Sequence, residues 1–283
     1  MNFDQFIFLI IAAVLVLVIV GVSVFEAVPV SLIYLSDLRR RKPFRQLAAQ
    51  LGYTFEPKWK FISSSKVVNW IAKVVPLGSR STPEAPDGLV QVPLFETTRP
   101  RTRTEITITN VIRGAESGGE LLLFDYHATF MGEFFLWLGV IGVLVGKVLR
   151  RGGLERREHT VAAFRLPEGG LPAFELSPRP WADTCRRLPG LREVKFDHQE
   201  FAVRCVLCGR EELAIRGVFT PALRQRLLSG SACSVEGAGP WLVVYRPRGI
   251  VDRAELRPFL DEARDIARFF RGAHDGHSGM RAP

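Results

Sequence analysis

Twenty consecutive residues from Phe6 to Phe25, FIFLIIAAVLVLVIVGVSVF, carry no ionisable side chain. At the helical rise such a run reaches about 30 Å, the thickness of a bilayer's hydrocarbon core. Lipid supplies no hydrogen-bond partners, so a single span must satisfy its backbone internally as a helix. The run therefore predicts an N-terminal transmembrane helix. A cleaved signal peptide would need a basic start and a small-residue cleavage site. Here only Asp4 precedes the run, and Glu26 and Pro29 follow it. Residues 27 to 35 stay apolar, and either extend the helix at a tilt or kink at Pro29 and run along the interface.

Beyond that exit stand Arg39, Arg40, Arg41 and Lys42, with Arg45 close behind. Basic flanks stay cytoplasmic. The expected placement has the N-terminus outside and the body in the cytoplasm. The chain then divides into an anchor (1–36), juxtamembrane helices and a linker (37–88), an α+β domain (89–271) and a disordered tail (272–283).

The formal charge of +9 is spread along the chain, and most of the cations are Arg. Local clusters say more: Arg39 to Arg45, Arg99 to Arg103, and Arg150-Arg151 with Arg156-Arg157. Anionic lipid headgroups within a Debye length of an anchored body account for them. No nucleic-acid module accompanies the charge, so no nucleic-acid partner is expected. The bilayer is the expected partner, and a protein partner is compatible with it.

In chain order, Pro43 to Leu51 reads as a short helix with Pro43 at its first position and Gly52 as its left-handed stop. From Trp59 to Val75, Val67, Trp70, Ile71 and Val74 recur at helical spacing among Lys58, Lys60, Lys66 and Lys73. Such a helix either packs on the core or lies in the headgroup layer through Trp70, Lys66 and Lys73. Residues 76 to 88 are rich in Pro, Gly and Ser and read as a linker.

From Leu89 the apolar period changes to two. Strands are expected at 89–95, 105–112, 120–129, 159–166 and 171–176, then at 194–196, 201–207, 233–235 and 241–245. Helices are expected at 180–188, after a Thr220 cap with Pro221 at the first position, and at the C-terminus. There Phe259, Leu260, Ala263, Ile266, Ala267 and Phe270 form one apolar stripe. Pro258 begins that last helix or kinks an earlier start capped by Asp252. The expected fold class is α+β: a transmembrane helix, then a mainly antiparallel sheet with helices on one side and a C-terminal amphipathic helix.

One stretch does not fit a surface connection. Phe134 to Val145, FFLWLGVIGVLV, is apolar all round and lies between two expected strands. It reads as a helical tip dipping into the bilayer through Phe134, Phe135, Leu136, Trp137, Leu138 and Ile141, as a buried core helix, or as a second span. Pairing of the flanking strands would exclude a span. Gly142 and Gly146 form a GxxxG pair able to pack on the anchor.

Asn110-Val111-Ile112-Arg113-Gly114, Leu123-Phe124-Asp125-Tyr126, Leu171 to Leu176, and Phe196-Asp197-His198 with Phe201 are motifs spread over roughly residues 40 to 270. In them the chain resembles a family of uncharacterised bacterial membrane-anchored proteins, which implies placement in a bacterial inner (cytoplasmic) membrane. It implies no activity and transfers no functional residues. In the family the connection after the Phe-Asp-Tyr strand is shorter and more polar, which singles out 134–149.

No P-loop, dinucleotide fingerprint or nucleophile elbow is present. Cys205 and Cys208 match half of a zinc knuckle, which Cys185 and Cys233 would complete. If 201–207 is a strand, Cys205 and Cys208 point apart, and core cysteines, reduced in a cytoplasm, are the plainer reading. Asp125 and His127 share one strand face, with Glu158 and His159 opening the likely partner strand. This set reads either as an acid–base or metal site, or as a polar pair on a solvated face bonded to Arg165. The expected function is a membrane-anchored binding or assembly module without cofactor; the alternative is a membrane-bound enzyme or metal protein built on Asp125, His127, His159 or the cysteines.

Overall fold

The computed structural model describes residues 38–58, 62–63, 102–116, 119–132, 154–166, 170–182, 190–247 and 249–278. The apolar run at 6–25, the Trp-Lys stretch, the expected strand at 89–95 and the apolar tip at 134–149 lie outside these residues. Among the described residues no helix is long and apolar enough to cross a membrane.

The strands form one antiparallel sheet. In chain order they are β1 (Thr54–Lys58), β2 (Ile62–Ser63), β3 (Thr102–Glu116), β4 (Gly119–Gly132), β5 (Leu154–Arg165), β6 (Leu171–Pro178), β7 (Arg192–Glu193), β8 (Cys205–Gly209), β9 (Ser234–Gly239) and β10 (Trp241–Tyr245). Their spatial order is β1-β3-β4-β5-β10-β9-β6-β8-β7, with β2 also on β3. β1 belongs to this sheet, which therefore begins ahead of the expected boundary at residue 89.

Among the described residues the helices are α1 (38–51), α2 (Gln199–Arg204), α3 (Glu212–Val218), α4 (Pro221–Ser229) and α5 (Leu256–Ser278). All five pack on one face. There Phe44 and Leu47 of α1, Phe201 of α2, Ile215 of α3, Leu223 of α4 and the α5 stripe meet Leu121, Leu123, Ala162, Phe164, Leu242 and Val244. All six residues of the predicted stripe on α5 are at most 2% exposed. On the other face Ile106, Ile108, Leu122, Phe124, Ala163 and Val243 form a second buried cluster. The mainly antiparallel α+β body expected from the sequence is thus the fold observed.

Several elements differ from expectation for identifiable reasons. α1 starts at or before Leu38, so Pro43 sits inside the helix. Packing of Phe44, Leu47 and Ala48 and the anchoring of Arg40 outweigh the one backbone bond Pro43 cannot make. Gly52 does take the left-handed conformation after it, at φ 68. The segment expected as strand 201–207 is helical to Arg204, because His198 caps it by accepting from Phe201 N at 3.2 Å. The strand expected at 194–196 is the two-residue β7 at 192–193. Of the helix expected at 180–188, a 3-10 turn at Arg179–Trp181 falls in the described residues. α5 runs to Ser278, past the expected tail boundary.

The β3–β4–β5 ribbon is long and continuous. Thr102 faces Gly132 and Glu116 faces Gly119, while on the other side Met131 faces Leu154 and Glu120 faces Arg165. A single crossing at 134–149 would place β4 and β5 on opposite sides of a membrane. Their pairing excludes that reading.

Candidate functional site

On the helix-covered face the ribbon changes character between neighbouring rows. Ile112, Leu123 and Ala162 are apolar and lie under the helices, whereas one step along, Thr109, Asp125 and Thr160 are polar, and buried nonetheless. A buried charge is costly unless paired and hydrogen-bonded. Arg40 of α1 answers it with a fork: Nε donates to Asp125 Oδ2 at 2.7 Å and Nη2 to Oδ1 at 3.1 Å. The same guanidinium donates from Nη1 to the Val251 carbonyl at 2.9 Å and from Nη2 to Thr160 Oγ1 at 3.2 Å. Thr160 donates to Asp125 Oδ1 at 2.8 Å and accepts from Val251 N at 3.0 Å. One cluster thus ties α1 to two strands and to the loop that enters α5.

A fifth member was not anticipated. Asn110 is fully buried in a left-handed conformation, φ 55, where the β3–β4 register shifts between Thr109 and Ile112. The extra residue of such a bulge re-aims a side chain. Asn110 Nδ2 donates to Asp125 Oδ2 at 3.1 Å, while its buried Oδ1 has no partner among the described residues. The shift also sends Val111 to the same face as Ile106 and Ile108, and Ile112 to the helix face. The sequence signal was a lone Asn within an alternating apolar run.

The next row continues the polar lane. His127, 1% exposed, lies with Nδ1 3.0 Å from Glu158 Oε1 and Nε2 3.4 Å from Thr109 Oγ1. Asp125 and His127 are therefore buried, not the solvated pair bonded to Arg165. His159 is on the opposite face, stacked against Tyr126 and 4.8 Å from the Tyr245 ring, with Tyr245 donating to the buried Glu236 at 2.6 Å. Burial, reinforced by Glu236, pushes the Tyr126 hydroxyl above its ordinary range. The trio Asp125, His127 and His159 does not converge.

The cysteines are of two kinds. Cys208 is disulfide-bonded, with its partner outside the described residues, which corrects the expectation of four reduced thiols. Cys205 and Cys233 are free and line one cavity of about 50 Å³ with Leu176, Arg226, Glu262 and Ile266. Burial pushes the Cys233 thiol up to about 12, with Glu262 adding to it, and burial raises Cys205 too. Thiols held protonated are poor nucleophiles and poor ligands. Among the described residues no group of three His, Cys, Asp or Glu is placed to hold a metal.

Of the residues expected at a membrane, Phe134, Phe135, Leu136, Trp137, Leu138, Ile141, Trp70, Lys66 and Lys73 lie outside the described residues. Arg39 and Lys42 are exposed at the start of α1, and Arg41 is half-buried. Arg40 is corrected: it turns inward to Asp125 and serves the fold.

No protein-family model matches the chain, and no curated protein matches it. Among solved structures it is similar to the crystal structure of the mycobacterial trehalose monomycolate transport factor A, TtfA. That match has 14% identity and a TM-score of 0.45, and covers 83% of this chain and 92% of that one.

Proposed function

We propose that this chain is a membrane-held binding or assembly module whose α+β body faces the cytoplasm. The observation that supports the reading is the seat of α1. The helix that follows the apolar N-terminal run is built into the body by a buried, forked ion pair and by Phe44, Leu47 and Ala48. A body fixed to its own juxtamembrane helix is held close to the bilayer instead of swinging on a flexible linker. Arg39 and Lys42 then face anionic headgroups, and the remaining surface is left for a protein partner. In this reading the apolar stretch 134–149, which lies outside the described residues, enters and leaves the bilayer on one side, an arrangement compatible with the β4–β5 pairing.

The basic flank and the disulfide at Cys208 pull the placement in different directions, since stable disulfides belong mostly to oxidising compartments. The flank acts during insertion and sets orientation for the whole chain, so the cytoplasmic side is the one proposed. The test is fractionation of the full chain followed by labelling of reporters at Ser79, Ser117 and Ser231. Retention in the membrane after alkaline carbonate, with all three labelled only from the cytoplasmic side, is expected. Release into the supernatant would sink the membrane-held reading, and labelling from outside would move the body to the other compartment.

A further inference from the structure

We infer that the second face of the sheet, the one opposite α1 to α5, is the seat of this chain's own Trp-Lys segment, laid across the strands after Ser63 as an amphipathic helix. The inference goes beyond the membrane-held reading and does not rest on it. Burial carries it. Val111, Phe124, Val161, Trp241 and Val243 have no exposed surface, and they come from β3, β4, β5 and β10, which are neighbours in the sheet. Side chains on an uncovered sheet stand up into solvent, so this face has a second layer. The described helices do not supply it. Every buried member of the cluster lies on a strand, and α1 to α5 pack on the other face.

Where the remaining residues join the body selects among them. Residues 1–37 and 279–283 adjoin α1 and α5 on the helix-covered face, and 183–189 adjoin β7 at the sheet's far edge. Residues 64–101 leave at Ser63, beside Glu105, and return at Thr102; residues 133–153 leave at Gly132, opposite Thr102, and return at Leu154, opposite Met131. These two stretches alone are long enough and join the ribbon that the cluster occupies.

Periodicity decides between them. A layer with a sheet beneath and water above needs an apolar stripe and a polar back. Val67, Trp70, Ile71 and Val74 make the stripe, with Lys66, Asn69 and Lys73 behind it. Phe134 to Val145 is apolar all round and would leave a bare apolar side if laid there. β2 ends at Ser63, so the helix starts after it, with a serine as cap, and runs towards Pro76. Residues 64–75 would reach about 18 Å, enough to cross four strands spaced about 4.8 Å apart. Charge agrees. This face buries Glu236, which accepts from Tyr245 at 2.6 Å, and carries Glu175 beside it and Arg157. From Lys58 to Arg80 the chain has cations and no acid, which suits a layer over buried carboxylate. Trp70 then belongs to the core and not to the headgroup layer.

The test uses the full chain in vesicles of phosphatidylcholine with phosphatidylglycerol. In a brief pulse of hydroxyl radicals Trp181, 45% exposed, should oxidise at least about tenfold faster than Trp70, and Trp70 no faster than the fully buried Trp241. A photoreactive benzoylphenylalanine in place of Trp70 should cross-link to peptides of β3, β4, β5 or β10 in the same chain. The same group in place of Ile71 repeats the reading should the first variant fail to fold, and the radical pulse needs no variant at all. Oxidation of Trp70 at the rate of Trp181 overturns the inference. Cross-links from either position to lipid also overturn it, restoring the headgroup placement, as do cross-links to a second copy, which would make the face an interface between chains. Cross-links to these strands from Leu138 but from neither position 70 nor 71 would assign the face to 134–149, and overturn it too. Carbonate extraction of the same vesicles reads the membrane-held proposal separately.

Discussion

Asp125 has no exposed side-chain surface, and its partner Arg40 retains 16%. Removing one member of such a pair leaves the other charge buried and uncompensated, which costs about 3–5 kcal/mol. Arg40→Ala should lose about that much in a urea titration, and Arg40→Lys should recover only part, because an ammonium cannot reproduce the fork. The contrast is Arg257, which pairs with Asp261 one helical turn away at a 51%-exposed carboxylate. Arg257→Ala should change stability by less than about 1 kcal/mol. Equal losses at the two sites would mean that Arg40 is no keystone. Asn110 adds a backbone argument to the same cluster. Gly at 110 loses the bond to Asp125 but keeps the left-handed conformation, whereas Ala loses both, so Asn110→Ala should be the less stable of the two by about 1 kcal/mol. None of this pairing was visible in the sequence, since Arg40 and Asp125 are 85 residues apart and local alternation placed the carboxylate on a face without saying what covered it.

At the scale of elements, the period-two signal located the long ribbon and the apolar stripe located α5, because each rests on a repeated burial pattern. It failed at Phe201 to Leu207, where Phe201, Val203, Cys205 and Leu207 alternate as a strand would. The alternation is coincidental: His198 caps a helix over the first half, and Val203 is 63% exposed. This gives a sharp test. On a strand Val203 would share the buried face of Phe201, and Val203→Asp would be ruinous. On the helix observed it should cost within about 0.5 kcal/mol, whereas Phe201→Ala should cost about 3–5 kcal/mol. Loss of cooperative unfolding in Val203→Asp would restore the strand. The Asn110 bulge went unread for a related reason, since one inserted residue exchanges the faces of everything beyond it, and Ile106, Ile108 and Ile112 looked like one face when they occupy two.

For the whole molecule, burial of protonated acids couples the fold to alkaline pH. Cys233 moves from an ordinary 9.0 to about 12, and Cys205 and Tyr126 shift in the same direction, all with burial as the leading cause. The unfolded chain therefore releases these protons first. Between pH 9.0 and about 12 the folded state binds more protons than the unfolded one, so stability is fully present below that window and falls through it. A single group displaced in this way contributes a slope of about 1.4 kcal/mol per pH unit while it is protonated only in the fold. Denaturant titrations from pH 9.0 upward should show that decline, and Cys233→Ala should make it shallower by one group's share while costing little at neutral pH. Brief incubation without added thiol matters, because free thiolates formed on unfolding attack the disulfide at Cys208. An unchanged slope in Cys233→Ala would show that this thiol titrates as it does in water. The cavity it shares with Cys205 would then be open to solvent, and the two cysteines would return as candidates for chemistry.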